Sequence, residues 1–119
     1  MEKVNLKEKF ALFDAYWTPK ILGEVNESLV KIAKFKGEFL WHKHDDEDEM
    51  FFVVEGVLKV QFRDREVVLC PGEFLIIPKG VEHLPIAEDV VHVMLIEAKS
   101  TLNTGDIISD RTVNQLERL

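Results

Sequence analysis

Three of the chain's four histidines stand in two short stretches rich in carboxylates and apolar residues, GEFLWHKHDDEDEMFFVVEG (Gly37 to Gly56) and GEFLIIPKGVEH (Gly72 to His83). His42 and His44 are two positions apart, so an extended strand points both imidazoles to one face, whereas a helix would splay them. If Asp45 to Asp48 reverses the chain, Glu49 opens the next strand beside that face, followed by the apolar run Phe51 to Val54 before Gly56. Three candidate ligands then converge. In the second stretch Pro78 and Gly80 close an apolar strand with turn residues, and His83 follows as a fourth. Three neutral imidazoles and one carboxylate suit a divalent transition ion (iron, manganese, nickel, copper or zinc), because calcium and magnesium prefer oxygen cages. An octahedral ion held by four protein atoms keeps two positions open, which is the mark of a reactive centre over a structural one.

The spacings of the two stretches resemble the paired motifs of the cupin family: Gly37, His42, His44, Glu49 and Gly56 in the first, Gly72, Pro78, Gly80 and His83 in the second. Two positions depart from the family pattern. Four residues separate Gly37 from His42 where five are usual, and Ala87 stands where the second motif often ends in Asn. Neither removes a ligand. Glu47 also lies near the histidines, but Glu49 keeps the family's spacing to Gly56. The short interval from Val57 to Pro71 is similar to that of small one-domain members. The resemblance implies an all-β fold, the double-stranded β-helix or cupin jelly-roll barrel. It also implies a metal held by His42, His44, Glu49 and His83, and a homodimer.

Composition narrows the partners. The chain has 119 residues, the size of one domain, and carries 15 Lys and Arg against 22 Asp and Glu for a formal charge of −7. With no basic patch, neither nucleic acid nor an anionic membrane is an expected partner. One cysteine, Cys70, allows no internal disulfide, and the charged N-terminal residues interrupt any apolar leader. Both facts fit a reducing, cytoplasmic setting.

Residues 1–19 form a helical arm: Asn5 caps it, Glu8 can close a capping box, and Leu6, Phe10, Phe13 and Trp17 share one face up to Pro19, for packing on the outside of a barrel. Residues 20–98 form the barrel. Its expected strands are Lys20–Val25, Leu29–Phe35, Phe39–His44, Glu49–Val54, Val57–Phe62, Val67–Leu69, Phe74–Ile77 and Val90–Ile96, with a hairpin turn at Arg63-Asp64-Arg65. Residues 99–119 are a tail that starts as a turn at Thr101 to Asp106 and continues as either an edge strand or a short helix.

Other residues offer less. In VVHVMLIE both faces are apolar, so alternation leaves open whether His92 faces the pocket or tucks under another element. The Asp45 to Asp48 run reads as a solvated turn, with an acidic rim as its functional reading, and Cys70 as a small residue at a strand end. Phe51, Leu58, Val60, Phe62, Phe74 and Ile76 are candidate cavity residues that a barrel also needs simply to pack. All four arginines (Arg63, Arg65, Arg111 and Arg118) fall at a turn or in the tail, so a neutral or aromatic small molecule is a better expected ligand than an anion. The fold serves many chemistries. The family likeness therefore implies either a metalloenzyme acting on a small molecule, dioxygenase-like or isomerase-like, or a non-catalytic metabolite-binding or sensing module. A looser likeness is to mannose-6-phosphate isomerase-like cupins.

Overall fold

A computed structural model describes residues 1–119. One strand organises it: β7, Leu84–Ala98, fifteen residues long. Along one side it pairs antiparallel with β2 (Ser28–Glu38), from Ser28 opposite Ala98 to Glu38 opposite Ile86. Along the other it pairs first with β4 (Leu58–Gln61) and then with β3 (Glu49–Glu55). β1 (Lys20–Val25) lies outside β2, and β6 (Phe74–Ile77) outside β3, giving the order β1-β2-β7-β3-β6. β5 (Glu66–Leu69) folds back on β4 through the expected turn, where the Phe62 N–H donates to Arg65 O at 2.7 Å. All six pairings between these strands are antiparallel, and the fold is the all-β jelly-roll barrel.

Period-2 alternation decides what faces inward. On β7, Val91, Val93, Leu95 and Glu97 are buried, and on β2 so are Leu29, Lys31, Ala33 and Phe35. The core joins Ala33, Phe35, Val91, Val93 and Leu95 of these to Phe51, Val53, Leu58, Val60 and Ile77. Gly56, with φ +88°, turns the chain from β3 to β4 so close to β7 that a Cβ there would stand 2.8 Å from Val90 O. Only glycine fits that crossing. No helix is long and apolar enough to cross a membrane.

Several expectations are corrected. The N-terminal helix, α1, spans only Leu6–Phe10; Asn5 caps it as expected, its Oδ1 accepting the Glu8 N–H at 3.0 Å. A helix this short gains little from its own hydrogen bonds, and beyond it the chain bonds to β2 instead: Phe13 O accepts Lys34 Nζ, and Trp17 N–H donates to Lys34 O. Trp17 takes a left-handed backbone, φ +58°, which turns its indole away from the helical stripe. The expected strand Phe39–His44 is an irregular segment with a single bridge, His42 to His83. On β6 the alternation faces Leu75 and Ile77 inward, leaving Phe74 (58% exposed) and Ile76 (56%) outside rather than in a cavity. The last strand begins well before Val90, at Leu84, and ends two residues past Ile96, at Ala98. The tail forms neither helix nor strand, but returns beside β1 through Ile21 N–H to Glu117 O, Leu119 N–H to Ile21 O and an Arg118–Glu24 ion pair.

Candidate metal centre

The segment from His42 to His44 is too irregular to be held by a sheet, so three other elements hold it. His42 and His83 exchange two backbone hydrogen bonds, at 3.1 and 2.9 Å. Gly80 N–H donates to His44 O at 2.7 Å, and Asp106 N–H from the tail donates to Lys43 O at 2.9 Å. The acidic run takes part: Asp48 Oδ1 accepts the Lys79 N–H at 2.9 Å, and Asp45 pairs with Lys43, while Asp46 remains exposed. These bonds bring His42, His44 and His83 together, with one ring nitrogen of each within 4.8 Å of the others. All three are buried, His83 completely.

Two rings have their tautomer fixed by the backbone. Nδ1–H of His42 donates to Leu40 O and Nδ1–H of His83 to Val81 O, both at 2.9 Å. That leaves the Nε2 lone pair as the free one, the usual arrangement of a metal-ligating imidazole. Glu49 begins β3 beside them, with Oε2 at 2.9 Å from His44 Nε2 and Oε1 at 3.5 Å from His83 Nε2. These contacts are close enough for ion pairs but not aligned as hydrogen bonds: His44 Nδ1 and Nε2, His83 Nε2 and Glu49 Oε1 are all buried without a hydrogen-bond partner. Burying so many unpartnered polar atoms is costly unless something satisfies them together. A divalent transition ion fits that donor set, with His42, His44, His83 and Glu49 as the residues able to hold it.

The electrostatics agree. Burial, helped by neighbouring His83, presses His42 down to about 4, so the ring is neutral at ordinary pH. Burial also lowers His44, but its contacts with Glu49 outweigh this and leave it raised. For Glu49, burial opposes ionisation, yet His44 and His83 hold it well below the usual carboxylate range.

Two buried charged residues that sequence reasoning did not single out stand next to this cluster. Glu97, at the end of β7, lies opposite Glu49 in the β3–β7 register and is 4% exposed. Burial and the adjacent Glu49 charge push its carboxyl well above the usual range. Lys31 on β2, 2% exposed, donates to Glu97 Oε1 at 2.9 Å. The available signal was the alternation itself, which sets Lys31 in register with Leu29, Ala33 and Phe35, and Glu97 with Val91, Val93 and Leu95.

A cleft with about 350 Å³ of empty space, including its mouth, opens onto His42, Glu49 and Glu97. Its other walls are Trp17, Pro19, Phe35, Phe39, Phe51, Pro85, Leu95 and Asn103. Trp17 stacks on Phe35 (4.3 Å between centroids) and on Phe39 (4.8 Å), closing the mouth instead of packing on the barrel's outside. Arg111 from the tail holds that lid, donating to Glu38 O and Phe39 O and lying over the Phe39 ring. Of the residues expected to line a cavity, Phe51 does, while Leu58, Val60 and Phe62 are packing core. His92 faces outward, stacked under Phe10 of α1 at 4.4 Å.

Comparison with known proteins identifies the class. The Cupin domain family matches residues 28–99, more than half of the chain, and the chain belongs to that family. It is 44% identical over 80 residues to the uncharacterized protein YdbB of Bacillus subtilis, an alignment covering 66% of this chain and 65% of that relative's length. The crystal structure of a cupin-2 domain containing protein from Shewanella frigidimarina is 45% identical, with a TM-score of 0.80 over 81% of this chain and 94% of that one. Protein NMB1881 from Neisseria meningitidis is 33% identical, with a TM-score of 0.76 over 82% of this chain and all (100%) of that one.

Proposed function

We propose that this chain, acting as one domain, is a metalloenzyme for a small molecule, holding one divalent transition ion on His42, His44, His83 and Glu49. The observation that carries the reading is the pair of Nδ1–H bonds to Leu40 O and Val81 O, which present two Nε2 lone pairs beside a buried carboxylate at the foot of a cleft. A bound ion would supply Lewis acidity and open coordination positions for dioxygenase-like or isomerase-like chemistry. The chain's own residues do the rest: Trp17, Phe35 and Phe39 exclude water at the mouth, and the cleft orients the guest toward His42 and Glu49. The test is calorimetric titration of the metal-free protein with manganese, iron, nickel, copper and zinc, followed by a search for turnover in small-molecule mixtures by mass spectrometry. Tight binding of one equivalent that Glu49→Gln weakens supports the site; equal affinity in that variant would count against Glu49.

A non-catalytic metabolite-binding role is the alternative, favoured by the burial of all three histidines. A ligand that raises the melting temperature yet is recovered unchanged would select it. We further propose a homodimer, supported by the exposed Phe74 and Ile76 on end strand β6. Sedimentation as a monomer at micromolar concentration would refute this. A cytoplasmic setting is supported by the lone Cys70.

A further inference from the structure

We propose that Glu97 is a positioning residue for the metal centre: fixed by Lys31, its carboxyl hydrogen-bonds to Glu49 and holds that ligand's carboxylate toward the histidines. The inference deepens the reading above and rests on it for Glu49 as a ligand.

The three residues come from three neighbouring strands. Glu49 and Glu97 are direct partners where β3 meets β7. On the other side of β7, Lys31 is the partner of Leu95, two positions before Glu97. Period-2 alternation turns Lys31, Leu95, Glu97 and Glu49 to the same inward face, where a long side chain reaches its diagonal neighbour. Lys31 Nζ accordingly donates to Glu97 Oε1 at 2.9 Å, between side chains only 2% and 3% exposed. That bond fixes one oxygen of Glu97 and leaves the other for Glu49, with whose carboxyl it shares a side-chain hydrogen bond.

Like charges directly opposite on a sheet face repel, and burial strengthens the repulsion. Two carboxyls that meet in such a place are stable when one donates a proton to the other. Glu49 stands beside His44 and His83 and the ion they would hold, so it is the acceptor and Glu97 the donor. Glu49 needs that donor. Its Oε1 is buried with no aligned N–H or hydroxyl, and its other close neighbours are His44 Nε2 at 2.9 Å and His83 Nε2 at 3.5 Å. A ring nitrogen that gives its lone pair to a metal has no proton to offer a carboxylate. With both histidines as ligands, Glu97 is the donor left to Glu49. Hydrogen-bonded partners of this kind orient a ligating carboxylate, and losing one typically lowers metal affinity by about 10–100-fold.

Calorimetric titration of metal-free protein with zinc, beside thermal melts of the same samples, tests the assignment. Glu97→Gln keeps an N–H for Glu49 and an oxygen for Lys31, and should bind zinc within about threefold of wild type. Lys31→Met/Glu97→Leu removes the donor without stranding a charge. It should weaken zinc binding about tenfold or more while the metal-free melting temperature stays near that of wild type. Lys31→Met/Glu97→Met repeats the comparison with a more adaptable side chain should leucine fail to pack. Because Glu97 acts through Glu49, the same double change made in Glu49→Ala should weaken zinc binding no further. Three results would each overturn the proposal while leaving the metal site standing: unchanged affinity in the apolar pairs, a loss in Glu97→Gln as large as theirs, or losses that add in the Glu49→Ala background. Wild-type protein that binds no zinc would overturn the metal reading, and this proposal with it.

Discussion

Gly105 lies in the tail, remote in sequence from both histidine motifs, and substituting it tests whether the tail props the metal ligands. A Cβ at Gly105 would stand 2.1 Å from Lys43 O, 2.8 Å from Lys43 C and 3.1 Å from His42 Cδ2. The nearest atoms are backbone and cannot rotate away. Gly105 also holds φ +59°, where a side chain costs roughly 1–2 kcal/mol. Separating the two segments would break Asp106 N–H to Lys43 O and Lys43 N–H to Asp106 Oδ1, each contributing about 1 kcal/mol. Gly105→Ala should therefore cost about 3 kcal/mol or somewhat more, lowering the melting temperature by roughly 10 °C. Because Lys43 sits between His42 and His44, metal affinity should fall about tenfold or more along with stability. Gly23→Ala is the control, since a Cβ there meets nothing within 4 Å. Urea unfolding and metal titration on both variants are the assays. Stability within about 1 kcal/mol of wild type in Gly105→Ala, with unchanged metal affinity, would refute the reasoning.

Two further outcomes follow from the buried charges. Lys31→Met alone should destabilise by about 1–3 kcal/mol because it leaves Glu97 Oε1 buried without its donor, whereas Lys31→Met/Glu97→Leu should lie near wild type; additive losses in urea melts would contradict this. In metal-free protein His42 sits below its unfolded value of 6.5, at about 4, so the folded state binds fewer protons in that window. Its contribution to stability is lost as pH falls from about 6.5 through about 4, by roughly 3 kcal/mol. His42→Gln should flatten that part of the stability profile relative to wild type, and parallel profiles would argue against the depressed value.

What the sequence disclosed follows the range of its signals. The paired spacings brought His42, His44, His83 and Glu49 to one place, and local turn residues bounded Lys20–Val25 and Phe74–Ile77 correctly. Long-range partners were not legible. Phe39–His44 carries strand-like alternation, but its backbone is tied by His83, Gly80 and Asp106 one by one, so no ladder forms. The aromatic stripe after Asn5 suits a longer helix until β2 competes for Phe13 O and Trp17 N–H. His92 could not be oriented because both faces of β7 are apolar; Val91, Val93 and Leu95 take the inward face with Glu97, and His92 is left outside against Phe10. Arg111 looked like a tail residue, although the tail returns to close the lid over Phe39.

The most direct test of the central claim is the metal content, by plasma mass spectrometry, of tag-free protein purified without added metal, beside His42→Ala/His83→Ala. The expected result is near one equivalent of iron, manganese, nickel, copper or zinc in the wild type and none in the variant. Wild-type protein that stays metal-free after reconstitution, or a variant that keeps its metal, would contradict it.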